Sequence, residues 1–123
     1  MATRTGDRRQ QAEAVRLLTA ALPDADAQTQ LAFLLESSDP KRAIALYESS
    51  LRQKPDLVLA LVNLGRLLGS EGALDRAIAL WRDALRRNPC LEQAGSNLRI
   101  GLGAQGDTNG VQAVRESQRS CVF

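Results

Sequence analysis

The sequence predicts an all-α protein, and three observations support that fold class. Alanine, leucine and arginine dominate the 123 residues, whereas aromatic residues make up only 3% of the chain, a mixture that favours helices over strands. Residues 42–55 (RAIALYESSLRQKP) and 76–89 (RAIALWRDALRRNP) align at an offset of 34 positions, with eight of fourteen residues identical. Both segments space apolar residues by three and four positions, as on one helix face. The chain therefore repeats a helical unit.

The first predicted element is an N-terminal amphipathic helix over residues 7–21. Its apolar residues Val15, Leu18 and Leu22 fall on one side, and we expect this side to cover the apolar edge of the first repeat. The following helices are delimited by capping residues and glycines. Candidate start and stop signals are the N-cap Asp39 with Pro40 behind it, the N-cap Asp107, and the helix stop at Gly72.

The most complete copy of the repeat spans residues 58–91 (VLALVNLGRLLGSEGALDRAIALWRDALRRNPCL). It resembles a unit of the tetratricopeptide repeat family, which consists of 34 residues forming a helix, a turn and a helix. Leu61 stands where the family usually has its first tryptophan. The features shared with the family are an Asn-Leu-Gly segment, a turn glycine, two small residues, an aromatic residue and a closing proline: Asn63, Leu64, Gly65, Gly72, Ala77, Ala84, Trp81 and Pro89.

The resemblance implies an α-solenoid, a right-handed superhelix of about three helix-turn-helix units behind an N-terminal capping helix. The third unit lacks the aromatic residue, with Arg115 in its place, as expected for a terminal unit that has one neighbour. The predicted segments are residues 1–23 as tail and capping helix, 24–57, 58–91 and 92–120 as the three repeats, and 121–123 as an apolar C-terminal tail.

Residue types argue against catalysis. Histidine is absent, which removes the commonest general base and a common metal ligand. The carboxylates fall at predicted caps and on polar helix faces, and no serine has an obvious base beside it. We therefore expect no enzyme activity, no cofactor and no metal site.

Charge and hydropathy also limit the partners. The 16 basic and 14 acidic residues are scattered, so nucleic-acid binding is not expected. The sequence contains no run of 18 apolar residues, which a membrane-spanning helix would need. The N-terminus has no apolar signal segment, so we expect a cytoplasmic location. Cys90 and Cys121 follow no metal-binding or redox motif, and we expect both to be free thiols in a reducing compartment.

The resemblance further implies a groove lined by the first helix of each unit, which holds a peptide or a partner helix. Asn63 and Asn97 would clamp a peptide backbone through their paired donor and acceptor groups, or they are only a typical feature of the repeat. The family's carboxylate clamp is not expected, because Gln28 and Gln93 occupy its lysine positions. The resemblance also places Ala25, Thr29, Ala32, Leu35 and Ser70 along the groove. The nine positions that we predict as site residues are Gln28, Leu59, Val62, Asn63, Arg66, Gln93, Ser96, Asn97 and Ile100.

The C-terminal tail suggests further alternatives. Cys121, Val122 and Phe123 form an apolar end after the polar segment RESQRS. Phe123 either packs on the last helix or docks in another protein, and Cys121 is a candidate modification site. The chain would then be a substrate or carrier for a partner enzyme. Self-association into a homo-oligomer through exposed apolar ends is a third hypothesis.

Residues 101–106 (GLGAQG) have the glycine spacing of a dinucleotide-binding loop. Their setting excludes that function, because a predicted helix precedes them and too few residues follow for a βαβ unit. Two of the glycines instead repeat Gly69 and Gly72 at the 34-residue offset. Gly101 has no counterpart, and we expect it to weaken its helix by about 1 kcal/mol relative to alanine.

Overall fold

A computed structural model describes residues 2–20 and 23–121 of the chain. Its described residues form helices joined by short turns and contain no strand, which confirms the all-α prediction. Successive helix pairs are the elements of an α-solenoid. The helices are α1 (Ala2–Ala20), α2 (Ala25–Leu35), α3 (Pro40–Gln53), α4 (Val58–Ser70), α5 (Leu74–Arg87), α6 (Glu92–Ala104) and α7 (Thr108–Ser117).

The chain divides into two compact units, residues 1–55 and 56–123. In the first unit α2 packs on α3, and α1 packs on α2, where Nε2 of Gln11 donates a hydrogen bond to the Leu34 carbonyl at 3.2 Å. The helix α1 begins at Ala2, five residues earlier than predicted, and Leu22 lies outside the described residues. Asp39 caps α3 by accepting a hydrogen bond from the backbone N–H of Arg42, as its sequence position predicts.

The second unit contains α4 to α7, and its core forms around α5. Ala77, Ile78 and Trp81 of α5 are buried against Leu98 and Leu102 of α6. The turns after α4 and α6 depend on glycines with positive φ, +91° at Gly72 and +76° at Gly106. Both glycines occupy the same position of the repeat, so the structure confirms that GLGAQG is a helix end followed by a turn.

Trp81 lies between two glycines of neighbouring helices. A Cβ at Gly65 of α4 would lie 2.5 Å from its Nε1, and a Cβ at Gly101 of α6 would lie 3.0 Å from its Cζ3. Nε1 of Trp81 donates a hydrogen bond to the Val62 carbonyl at 3.2 Å. Gly101 thus has a packing role that the sequence argument missed. An alanine there would not restore stability without displacing the indole.

We expect Gly65→Ala to lower the free energy of unfolding, although alanine is favoured over glycine in a helix by about 1 kcal/mol. The added methyl group would collide with the Trp81 indole. The matched control is Gly103→Ala in α6, because a Cβ there has no atom within 4 Å. Urea denaturation followed by circular dichroism should give a neutral or higher value for the control. Equal effects of the two substitutions would contradict the packing argument.

A disulfide joins Cys90 to Cys121, with a Cα–Cα distance of 5.5 Å. The prediction of two free thiols is therefore wrong, because the segment that follows α7 returns to the turn between α5 and α6. Gln118 reinforces the junction: its buried Nε2 donates to the Pro89 carbonyl at 3.1 Å. Disulfides persist mainly in oxidising compartments, so the bond also argues against the expected cytoplasmic location.

Candidate binding groove

The first helices of the second unit present two matching stripes of side chains. Both stripes use intervals of three, four and seven residues, which place their members on one face of each helix. The members of one stripe lie 34 positions from those of the other, so the internal repeat builds both. The stripes are Leu59, Val62, Asn63 and Arg66 on α4, and Gln93, Ser96, Asn97 and Ile100 on α6.

A cavity of about 370 Å³ lies between these stripes. Its lining combines amide, hydroxyl and aliphatic groups with one guanidinium and one carboxylate. Asn63 and Asn97 are half-buried, whereas Arg66 is exposed. Six of the nine predicted groove residues line this cavity, with Glu92 as an addition: Val62, Asn63, Arg66, Gln93, Ser96 and Asn97.

A second, more apolar cavity of about 230 Å³ lies further along the same helices. Arg66 and Asn97 line both cavities, so they mark the boundary between a polar section and an apolar one. Ile100 contributes to the apolar section, and its side chain is 70% exposed. Ser70, a further groove position implied by the resemblance, also lines it. The remaining lining residues were not predicted as groove positions: Gly69, Leu74, Trp81, Gly101 and Ala104.

Sequence reasoning predicted Arg66, Asn97 and Ile100 as groove residues but missed the part of this lining that comes from α5, because that helix packs in the core. Trp81 and Leu74 belong to α5, the second helix of the repeat. They contribute to a surface cavity because Gly69 and Gly101 carry no side chains that would cover them. The signal in the sequence was the presence of glycines inside two otherwise regular first helices.

Three predicted groups of site residues lie elsewhere. Gln28 belongs to the first unit, and its side chain is buried with Oε1 accepting a hydrogen bond from Nε2 of Gln53 at 2.9 Å. It therefore offers little surface to a ligand. Leu59 is 60% exposed and lines neither cavity. Cys121 is in the disulfide, while Val122 and Phe123 lie outside the described residues.

Within residues 2–20 and 23–121, no group of three or more potential ligands among Cys, Asp and Glu is placed to hold a metal ion. None of the helices described there is long and apolar enough to cross a membrane.

A model of the tetratricopeptide repeat family matches residues 34–94. Comparison of the sequence with curated proteins finds no match. Among solved structures, this chain is similar to a crystal structure of MamA, with a TM-score of 0.80 and 18% identity over 92% of this chain and 69% of that one. A structure described as MamA MSR-1 gives a TM-score of 0.77 and 17% identity, covering 98% of this chain and 72% of that chain.

A third similar structure is YrrB, described as a TPR protein with an unusual peptide-binding site. Its TM-score is 0.75 at 16% identity, and the match covers 98% of this chain and 64% of YrrB. At such identities the likeness concerns the fold, and the chain spans only part of each of these proteins. The family match and these folds agree with the 34-residue repeat seen in the sequence: the chain belongs to the tetratricopeptide repeat family.

Proposed function

We propose that the chain is a noncatalytic adaptor that binds an extended peptide or a partner helix across the face formed by α4 and α6. Tetratricopeptide repeats are, in general, protein–protein interaction modules. The observation that carries the proposal is the convergence of repeated polar residues on one cavity, with Asn63 and Asn97 supplied by equivalent positions of two repeats.

The chemistry of this face suits a peptide of mixed character. A side-chain amide has both donor and acceptor groups, so each of Asn63 and Asn97 can pair with a peptide N–H and C=O. The neighbouring apolar cavity over Trp81 can receive an aliphatic or aromatic side chain of the same peptide. Backbone pairing would supply affinity, and the apolar cavity would supply selectivity for particular side chains.

The alternative of a carrier with a reactive tail loses its chemical basis. Modification of Cys121 would require a thiol, because thiolate is the reactive form of cysteine. In the disulfide the sulfur is already bonded to Cys90. Recognition of the tail by a partner enzyme stays a prediction, since Val122 and Phe123 lie outside the described residues. The adaptor function therefore remains the better-supported proposal.

Replacing Asn63 and Asn97 by alanine together should reduce partner binding at least about tenfold, because two pairs of backbone hydrogen bonds are lost. The test is affinity capture from the native cells with quantitative mass spectrometry. Binding of a captured partner's peptide would then be measured by calorimetry. The matched control is Asn109→Ala, an exposed asparagine of α7 that lines neither cavity. Equal binding by all variants, with native circular dichroism, would refute the proposed groove.

A further inference from the structure

A second groove, of about 350 Å³, lies between α5 and α7. It shares no lining residue with the two cavities on the α4 and α6 face. Each wall is a stripe with intervals of three, four and seven residues, so one face of each helix forms it, extended on the α5 side by Pro89 of the following turn. The stripes are Arg82, Leu85, Arg86 and Pro89 on one side, and Gly110, Ala113, Val114 and Ser117 on the other.

The floor of this groove is apolar and its rim is basic. Leu98 and Val114 are buried at the floor, with Leu85 partly buried beside them. The exposed guanidinium groups of Arg82 and Arg86 line one wall, and no carboxylate lines the groove. The groove therefore favours a ligand that combines apolar surface with negative charge.

The two arginines differ in their surroundings. Nη2 of Arg86 lies 3.2 Å from Oδ1 of Asp83, and the two residues are one turn apart on the surface of α5. Such surface pairs contribute little free energy, so the guanidinium remains available to a carboxylate of a partner. Among the described residues, Arg82 has no ion pair.

The internal repeat provides a comparison for this charge pattern. The residues that stand 34 positions before the groove residues include both acidic and basic side chains. The groove residues themselves have only basic side chains among their charged members. The wall opposite the arginines has no charged side chain, whereas two of its equivalents 34 residues earlier are charged. Glu48, Arg76 and Asp83 are the earlier equivalents of Arg82, Gly110 and Ser117, respectively.

We propose that the groove between α5 and α7 is a second docking site, which takes an acidic segment of a partner protein. An apolar side chain of that segment lies on the floor near Leu98, and its carboxylates pair with Arg82 and Arg86. An adaptor must hold two partners at once, and this site leaves the α4 and α6 face unoccupied. The inference does not depend on the identity of the peptide bound there.

The test uses a fluorescein-labelled peptide in which glutamates flank a leucine–phenylalanine core, with fluorescence anisotropy as the measurement. The matched probe has lysine in place of every glutamate. The acidic peptide should bind, the lysine peptide should not, and the double substitution Arg82→Glu, Arg86→Glu should weaken binding at least about tenfold. Arg87→Glu is the control, because Arg87 also pairs with Asp83 but does not line the groove.

A second pair of variants tests the shape of the groove separately from its charge. Ala113→Trp should fill the groove from its α7 wall and abolish binding, whereas Gln112→Trp, one position away on α7 and outside the groove, should not. Substitution of Asn63 and Asn97 should leave this binding intact, which separates the two proposed sites. Native circular dichroism establishes that each variant is folded.

Several results would overturn the proposal. One is that the acidic peptide fails to bind the wild-type chain. Another is that Arg87→Glu weakens binding as much as the double substitution of Arg82 and Arg86 does, and a third is that the lysine peptide binds as tightly as the acidic one. Binding of single-stranded DNA that displaces the acidic peptide would assign the arginines to phosphate instead. Peptide binding that appears only when the chain is diluted to a monomer would assign the groove to a second copy.

Discussion

Trp81→Ala should lower the free energy of unfolding by about 3–5 kcal/mol, the range found when a buried aromatic residue is removed from a core. The indole is 6% exposed and contacts residues of both neighbouring helices. Its removal would leave a cavity between Gly65 and Gly101, and neither glycine has a side chain that could fill it. Whole-domain stabilities are commonly only about 5–15 kcal/mol, so the loss is large. Urea denaturation followed by far-ultraviolet circular dichroism measures it.

Two further variants divide this effect into its parts. Trp81→Phe retains an aromatic ring but loses the hydrogen bond to the Val62 carbonyl, and its cost should be smaller than that of alanine. Ile100→Ala removes an apolar side chain that is 70% exposed, so it should change stability by less than about 0.5 kcal/mol. Similar losses for Trp81→Ala and Ile100→Ala would show that Trp81 does not organise the core.

Replacing Cys90 and Cys121 by serine should lower the free energy of unfolding by about 3–4 kcal/mol. A cross-link that closes a loop of this size is expected to stabilise the fold by that amount, because it reduces the entropy of the unfolded chain. The two cysteines are 31 residues apart, so the bond constrains α6 and α7 together. Urea denaturation of the double variant and of the oxidised wild-type chain would be compared.

Reduction of the wild-type chain is the matched control for the serine variants. Dithiothreitol should lower its unfolding midpoint to the value of the double variant, and it should have no effect on that variant. Mass spectrometry after alkylation under native conditions should find no modified cysteine before reduction. Rapid alkylation of both thiols in freshly isolated protein would contradict the disulfide.

The sequence predicted the repeated helices well because their signals are local. Apolar spacing, the cap at Asp39 and the turn glycines Gly72 and Gly106 each act within one or two turns of helix. In the structure α4 begins at Val58 and α5 ends at Arg87, while the bounds 58–91 of the repeat unit stay a prediction. The early start of α1 was missed because the sequence before residue 7 contains no comparable apolar stripe.

Features that depend on contacts between helices were harder to predict. The Cys90–Cys121 bond arises because the turns that follow α5 and α7 meet, and neither cysteine belongs to a short motif. Gly101 was explained by helix propensity alone, although the decisive contact is with Trp81 of the preceding helix. The groove positions on α4 and α6 followed the repeat, but the proposed site between α5 and α7 required knowledge of which side chains share a surface.

Trp81 also gives the protein an intrinsic optical reporter. It is the only tryptophan in the sequence, and part of its ring lines the apolar cavity beside Asn97. A ligand that enters this cavity would exclude water from the indole and shift its emission to shorter wavelength. Binding to the α4 and α6 face can therefore be titrated without any label, whereas a ligand confined to the groove between α5 and α7 would leave the emission unchanged.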